Sequence, residues 1–573
     1  MNKIIFNKTA DIFLNSGIVA LYHYLKVTKT NNDLGYSDFN FELEKDNLTI
    51  ECETQEKLFQ LLEDLYYYMG AEIYDTSTKE AKNKLDNAYY IEQEDRFVLF
   101  PKKNTYGLGS LITNNAAGTT KKSENTATIK VLKKEAASEK LLEKFETYFK
   151  ENGLKLKEKI YFNEPYVKIT RLEPIDVKYF EEGENYCYLT GEGYKKVVDS
   201  VNISPFIGGM SGITNFNSGF GNDKKVSWKA MYLSRFSPKL SFYQYVGGLV
   251  NLNIFMFYSN NLKNYSTIFE QNKELYKDIA QKEESNHLSN INFVSVNEKK
   301  EIYWTSKPEM TFMLIYSFYK KLLKKEDNAE SINVEFDPFA EMEFEKIPIS
   351  MITFTSKKYS NTMRPTVFEY VNNFKFLIKM LYHIEKEKIE IKKFLTSLYL
   401  KDDVKPTVRT KILDKIVKLK PIAEDIETLM YKSFLQKFGK ESDGFKHYKT
   451  IVNFIDIYEP LIKYGGNKFM DKELQKKAIN LGKSIGQGIL HSDESENKQA
   501  NAKNGRGYIV SLKKVRTLSQ FLEEVARLQT KYKISLSNEL LENIDEQNFI
   551  YVKQFCIISA LNQLNSVFIK KED

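Results

Sequence analysis

Residues 501–533 read NAKNGRGYIVSLKKVRTLSQFLEEVARLQTKYK. Thr517 stands three residues before Gln520, and Phe521, Leu522, Val525 and Leu528 follow. A hydroxyl that caps the first turn, with an amide side chain three residues on, is a capping box. The spacing predicts a helix over 517–533. Pro460 is the last proline of the chain, and further helices are expected at 421–437, 444–463, 470–490 and 546–569. Between two of them, His491–Gly507 reads as a polar loop whose end is glycine-flanked and basic. This part is expected to be an all-α helical bundle.

The same stretch is charged. Lys503, Arg506, Lys513, Lys514, Arg516, Arg527, Lys531 and Lys533 face only Glu523 and Glu524. That surplus is close to the net +7 of all 573 residues. Only eight of the 84 basic residues are arginine, and Arg506, Arg516 and Arg527 are three of them. Guanidinium is the better phosphate fork. Lys503, Arg506, Lys513, Lys514 and Arg516 are the candidate contacts to a nucleic-acid backbone; a solvated basic face is the alternative.

Toward the N-terminus the pattern changes. Residues 10–25 read as a helix. Phe39–Cys52 alternates around Glu44–Asn47, as a β-hairpin does. A helix follows from Thr54 to a stop at Gly70, and Arg96–Phe100 is a strand before Pro101. Residues 136–152 look helical, 153–200 look like short strands and turns, and Phe242–Tyr258 is apolar enough for core. Thr366–Leu400 shows a helical stripe of Phe368, Val371, Phe374, Leu377, Ile378, Leu381 and Ile384. The expected fold class is α+β: a mixed α/β body over residues 1–430 and a helical bundle over 431–573.

Two polar segments interrupt the body, near 106–125 and 202–229. The first contains Asn114, Asn115 and Gly118. The second contains Gly208, Gly209, Gly212, Gly219 and Gly221, with Asn202, Asn215, Asn217 and Asn222, and then Lys224 and Lys225. Glycine lets backbone approach a ligand closely, asparagine offers donor and acceptor to a base edge, and lysine matches phosphate. A long glycine-rich connector is the plainer reading.

Several chemistries find no support. Gly482-Lys483-Ser484 ends like a phosphate-binding P-loop, but Lys477 stands where that loop needs its first glycine. Asp337, Glu341, Glu343 and Glu345 precede Lys346, which directly follows Glu345 and so points away from it on a strand. The five histidines (23, 287, 383, 447 and 491) never pair at metal-ligand spacing. Cys52, Cys187 and Cys556 lie too far apart to suggest a disulfide framework. No apolar run reaches the ~20 residues of a membrane span, and no export signal is apparent. The chain reads as a cytoplasmic binder without catalytic residues, metal or cofactor.

In order along the chain, several pieces resemble one family. They are Asp11-Ile-Phe-Leu-Asn-Ser-Gly17, Asn185-Tyr-Cys-Tyr-Leu-Thr-Gly191 leading into Phe206-Ile-Gly-Gly, Asn215-Phe-Asn-Ser-Gly219, Lys225-Val-Ser-Trp228, Lys503–Tyr508 and Val515–Leu522. Together they resemble the large subunit of the type I-B CRISPR effector complex, Cascade, over nearly the full length. Many relatives carry two Cys-x-x-Cys pairs that look like a zinc site. Here Thr190 stands where the partner of Cys187 would be, and the other pair is missing; one thiol does not hold a structural zinc.

The resemblance implies a non-enzymatic role in antiviral defence. Such a subunit reads the protospacer-adjacent motif of target double-stranded DNA, assists duplex opening and recruits a helicase-nuclease in trans. Its partners are the guide RNA (crRNA), the target DNA and the backbone and small subunits of the complex. The helical C-terminal part resembles the small subunit, and Met430 or Met470 could serve as internal starts. Asn114, Asn115, Gly118, Gly208, Gly209, Asn215, Asn217, Asn222, Lys224 and Lys225 are the candidates for reading the motif. A stand-alone nucleic-acid-processing enzyme and a structural scaffold subunit remain open as alternatives.

Overall fold

A computed structural model describes residues 2–31, 38–73, 88–91, 95–99, 130–156, 159–162, 172–199, 225–246, 251–270, 293–297, 300–304, 306–324, 349–359, 362–398, 407–436, 448–462 and 472–568. The fold is α+β, with small sheets toward the N-terminus and a run of helices toward the C-terminus. The chain forms two compact units, 1–292 with 333–372, and 293–332 with 373–573. The division therefore falls between Asn372 and Asn373, not at the expected 430/431, and a piece of the helical unit lies inside the sequence of the first.

The first unit begins with β1 (Lys3–Asn7), α1 (Ile12–Asn31), β2 (Phe39–Leu43), β3 (Asn47–Cys52) and α2 (Gln55–Ile73). The three strands pair antiparallel in the order β1-β3-β2, with Phe39 opposite Cys52 and Leu43 opposite Leu48. α2 continues one turn past Gly70, where a stop was expected; burial of Leu58, Leu61, Leu62, Leu65 and Met69 holds it. A second sheet, order β5-β4-β7-β6, combines β4 (Ala88–Ile91), β5 (Arg96–Leu99), β6 (Lys130–Lys133) and β7 (Lys159–Phe162). Phe145 and Phe149 of α3 (Glu139–Glu151) close its core against Ala88, Tyr90 and Ile160.

The Asp11–Gly17 segment has a structural job. The Asp11 carboxylate accepts from the N–H groups of Phe13 (2.8 Å) and Leu14 (3.1 Å). Burial nonetheless pushes its pKa up, outweighing those two bonds. Asn15 closes the preceding turn, accepting from Thr9 N–H at 2.8 Å and donating to the Thr9 carbonyl at 2.9 Å. A Cβ at Gly17 would lie 2.2 Å from the Leu233 carbonyl oxygen. Glycine is needed there for α1 to meet α4 (Trp228–Phe236).

Four further short strands follow β7: β8 (Asn185–Tyr186), β9 (Gly193–Tyr194), β10 (Val198–Asp199) and β11 (Lys225–Val226). The largest sheet has the order β12-β13-β16-β17, all antiparallel: β12 (Phe242–Val246), β13 (Asn251–Tyr258), β16 (Ser350–Tyr359) and β17 (Thr362–Val371). This corrects the long helix expected over Thr366–Leu400. Its first residues, Thr366–Val371, are strand, paired with β16 through Phe354 opposite Phe368. Helix resumes only after Asn372.

The second unit opens with a hairpin of β14 (Phe293–Asn297) and β15 (Lys300–Trp304), then α5 (Lys307–Lys324). After Asn373 come α6 (Phe374–Lys386), α7 (Ile391–Ser397), α8 (Thr407–Val417), α9 (Ala423–Gln436), α10 (Tyr448–Ile462), α11 (Lys472–Leu490), α12 (Lys498–Asn504), α13 (Arg506–Lys514), α14 (Leu518–Tyr532), α15 (Asn538–Asn543) and α16 (Phe549–Asn565). α5 and α8 are joined by a buried ion pair. Arg409 Nε donates to Glu309 Oε1 at 2.8 Å, and the Thr410 hydroxyl donates to the same oxygen at 3.1 Å. Glu459 of α10 accepts from the N–H groups of Ile422 (2.7 Å) and Ala423 (2.9 Å), satisfying donors at the start of α9.

α11 and α16 form the centre of the bundle. A Cβ at Gly482 would lie 2.1 Å from the Cys556 carbonyl oxygen, and one at Gly486 would lie 2.5 Å from Gln563 Cβ. The Ser559 hydroxyl donates across to the Ile479 carbonyl at 2.8 Å. Gly482, the P-loop look-alike, is thus a contact point between two helices. Among the described residues no helix is long and apolar enough to cross a membrane.

Candidate nucleic-acid interface

The glycine- and asparagine-rich segment is visible at its two ends. β10 and β11 pair antiparallel, Val198 opposite Val226 and Asp199 opposite Lys225. The chain thus leaves and returns at one two-stranded stem. Residues 200–224 lie outside the described residues. So do Gly208, Gly209, Asn215, Asn217, Asn222 and Lys224 within them, and Asn114, Asn115 and Gly118 of the earlier segment. Lys225 is the one candidate reader that is placed, exposed on the stem.

The stem is anchored on both sides. The Lys225 carbonyl accepts from Tyr188 N–H at 2.9 Å. Tyr188 follows Cys187 in a tight hairpin. Gly191 N–H donates to the Cys187 carbonyl at 2.8 Å, and Gly191 has φ +75°, a left-handed conformation that favours glycine. The buried Cys187 thiol and these bonds close the turn, with Thr190 accepting from Glu192 N–H at 3.3 Å. On the other side, the Ser227 hydroxyl accepts from Ala230 N–H at 3.1 Å and caps α4. Trp228 is buried, donates to the Glu173 carbonyl at 3.1 Å and stacks on Tyr232 with centroids 4.7 Å apart. Lys-Val-Ser-Trp is therefore a strand-to-helix junction whose last two residues hold the stem to the core. The neighbouring Lys229 amine is pushed down in pKa by burial, opposed by the charge of Glu192.

The C-terminal basic segment is helical where a loop was expected. His491–Gly507 contains α12, and Gly505 separates it from α13 by a single residue. Asn501, Gly505, Ile509 and Leu512 form the buried stripe of this run. Asn501 Nδ2 donates to the carbonyls of Leu490 (3.2 Å), Ser492 (3.0 Å) and Ser495 (2.7 Å), stapling the preceding turn. A Cβ at Gly505 would lie 2.2 Å from Ile489 Cγ2. A buried stripe made partly of asparagine and glycine looks like a loop in sequence.

The five candidate cations divide. Lys503, Arg506, Lys514 and Arg516 are exposed. Lys503, Lys514 and the Arg516 guanidinium have no acidic partner among the described residues. Lys513 is different. Its ammonium pairs with the nearly buried Glu427 of α9 and lies 5.0 Å from the centroid of Tyr431. Its charge is already matched, which removes it from the set available to phosphate.

Two more cations of the basic run, outside the five candidates, are matched in the same way. Lys531 Nζ lies 2.6 Å from Glu494 Oε1 and donates to the Tyr508 hydroxyl at 2.6 Å. Arg527 Nη2 lies 2.6 Å from Glu524 Oε1, with its guanidinium carbon 5.1 Å from the Tyr508 centroid. The Glu494 and Tyr508 contacts raise the Lys531 pKa, and burial pushes the Tyr532 hydroxyl up to about 12. Tyr508 thus binds α14 to α13 through two cations on one ring. Its position four residues before Leu512 on a helix was the available signal.

Among the described residues no group of three or more His, Cys, Asp or Glu is arranged to hold a metal ion. The acidic run Asp337–Lys346 lies outside them. No protein-family model matches the chain, and no curated protein matches it significantly.

Proposed function

We propose that the chain is a non-catalytic, nucleic-acid-binding large subunit of a type I-B guide-RNA surveillance complex. In this role it reads the protospacer-adjacent motif, assists duplex opening and recruits a helicase-nuclease. The observation that supports this reading most is the sorting of cations on the helical unit. Lys513, Arg527 and Lys531 are matched by carboxylates, while Lys503, Lys514 and the Arg516 guanidinium have no acidic partner among the described residues and, with Arg506, are exposed along one nearly continuous helical run and its exit. Arg506 and Lys514 are eight residues apart on the solvent side of α13, about 12 Å along its axis. That suits phosphates about two steps apart along one strand, contacts that carry no base information. Motif reading would fall to residues 200–224, between β10 and β11, with Lys225 of β11 holding a phosphate.

The test is co-expression with a guide-repeat array and the backbone subunits. The chain should co-purify with guide RNA, and the assembly should distinguish targets by their flanking motif. Asn215, Asn217 or Asn222 to alanine should reduce that discrimination ten- to a hundredfold at a reading position, as expected for ~1–3 kcal/mol per base contact. Magnesium-dependent cleavage by the isolated chain, lost on changing Glu343 or Glu345, would instead establish a stand-alone enzyme.

A further inference from the structure

Gly507 is glycine without a cause in the fold. It is the second residue of α13 and exposed. A Cβ built there would meet nothing within 4 Å, and its φ is not in the left-handed region. Every other glycine with described surroundings has a cause. Gly153 and Gly191 have positive φ, and at the rest a Cβ would come within 3.0 Å of a neighbour. Two residues earlier, Gly505 is needed for packing on Ile489. At Gly507 alanine would fit, and glycine is the poorest helix former after proline. The helix thus loses stability at this position and gains no packing in return. What glycine does offer is bare backbone that a ligand can approach closely.

The neighbouring charges indicate the ligand. Lys514 stands seven residues on in the same helix, nearly two turns, which puts it on the face of Gly507 about 10 Å along the axis. Arg506 adjoins Gly507, Lys503 precedes it by four residues, and both are exposed. Between Gly507 and Lys514, Val510 and Ser511 are half-buried and carry no charge. On the Tyr508 side, Glu494 and Glu524 are matched by Lys531 and Arg527, and the Arg527 guanidinium reaches the Ser511 hydroxyl at 3.5 Å. A polyanion held by Arg506 and Lys514 would run over the bare backbone between them. We infer that Gly507 is a contact residue for a nucleic-acid strand, whose sugar–phosphate chain passes against the α13 backbone at a depth that a side chain would block. This rests on the basic run being the nucleic-acid surface proposed above, and adds the face of α13 that the strand follows.

The test uses the full chain with Gly507→Ala and Gly507→Leu, both better helix formers than glycine. Each should keep or raise the melting temperature. Binding of a fluorescein-labelled single strand, read by anisotropy, should weaken with side-chain size, by about tenfold for leucine, the scale of extra atoms forced into a close-packed contact. The dependence on salt should stay as in the wild type, because no cation is lost, whereas Lys514→Ala should flatten it. Wild-type affinity of both Gly507 variants, in a chain whose salt dependence Lys514→Ala does flatten, would overturn the inference and leave the nucleic-acid reading standing. If Lys514→Ala leaves the salt dependence unchanged, that reading fails and the inference falls with it. A lower melting temperature for Gly507→Ala would give the glycine a folding role instead. Wild-type strand affinity combined with lost assembly on the backbone subunits would assign the bare backbone to a protein contact.

Discussion

Lys513 and Lys514 are neighbours in sequence and are expected to fail in opposite ways when changed to alanine. Lys513 neutralises Glu427, whose carboxylate is 5% exposed, while its own side chain is 30% exposed. Removing one partner of a fully buried pair costs about 3–5 kcal/mol. The partial exposure of Lys513, and the charge of Lys553 acting on the same Glu427, place the expected loss lower, at about 2 kcal/mol. Lys514 has no such partner, so Lys514→Ala should change stability by no more than ~0.5 kcal/mol. Binding should show the reverse order. Each phosphate left without its cation lowers the slope of log K against log salt by about 0.7 for a single strand and about 0.9 for a duplex. On a single strand, Lys514→Ala should therefore flatten the slope by about 0.7, and Lys513→Ala should leave it unchanged. The assay is a urea melt of each variant beside anisotropy titrations of a 20-nucleotide single strand across a range of salt. If Lys513→Ala flattens the slope as much as Lys514→Ala while keeping full stability, the division of cations drawn from the ion pairs is wrong.

Other substitutions probe the fold. Arg409→Met should cost about 3–5 kcal/mol in urea unfolding of the second unit, because Glu309 would remain buried without its guanidinium. Gly482→Ala should destabilise by roughly 1–3 kcal/mol through its clash with the Cys556 carbonyl, whereas Gly507→Ala, with open space around it, should be neutral or gain up to ~1 kcal/mol. Asp11→Asn should keep the cap of α1 and remove a partly buried charge. The native Asp11 pKa lies above its ordinary value of 3.8, so the native state holds the proton longer than the unfolded chain. Wild-type stability relative to Asp11→Asn should then fall as pH rises from 3.8 through the native pKa, as measured by melting temperature between pH 3 and 8.

The readable parts of the sequence were those where burial and local preference agree. The Phe39–Cys52 hairpin alternates strictly around a polar turn, and Thr517 accepts from Gln520 N–H, the capping contact its spacing predicts. Where they disagree, the reading failed. Phe368 and Val371 fit a helical stripe as well as a strand, and pairing with β16 decided for the strand. The Asn372-Asn373 pair was the local sign that the helix begins later. Residues 491–507 were hidden because close packing on Ile489 needs a glycine and a turn needs Asn501. Lys513 could not be told from Lys514 without knowing that α9 lies beside it.

The ion pair between Glu309 and Arg409 spans 100 residues of chain. During synthesis at about 5–20 residues per second, α5 emerges roughly 5–20 seconds before the guanidinium that will neutralise its carboxylate. Until then only α6, whose Glu385 accepts from Tyr319 at 3.0 Å, is there to cover α5, and the second unit has no finished core. Nascent chains released from the ribosome as far as a point between residues 372 and 409 would carry the strands of the first unit and an α5 still lacking α8, the species on which a holding chaperone would act.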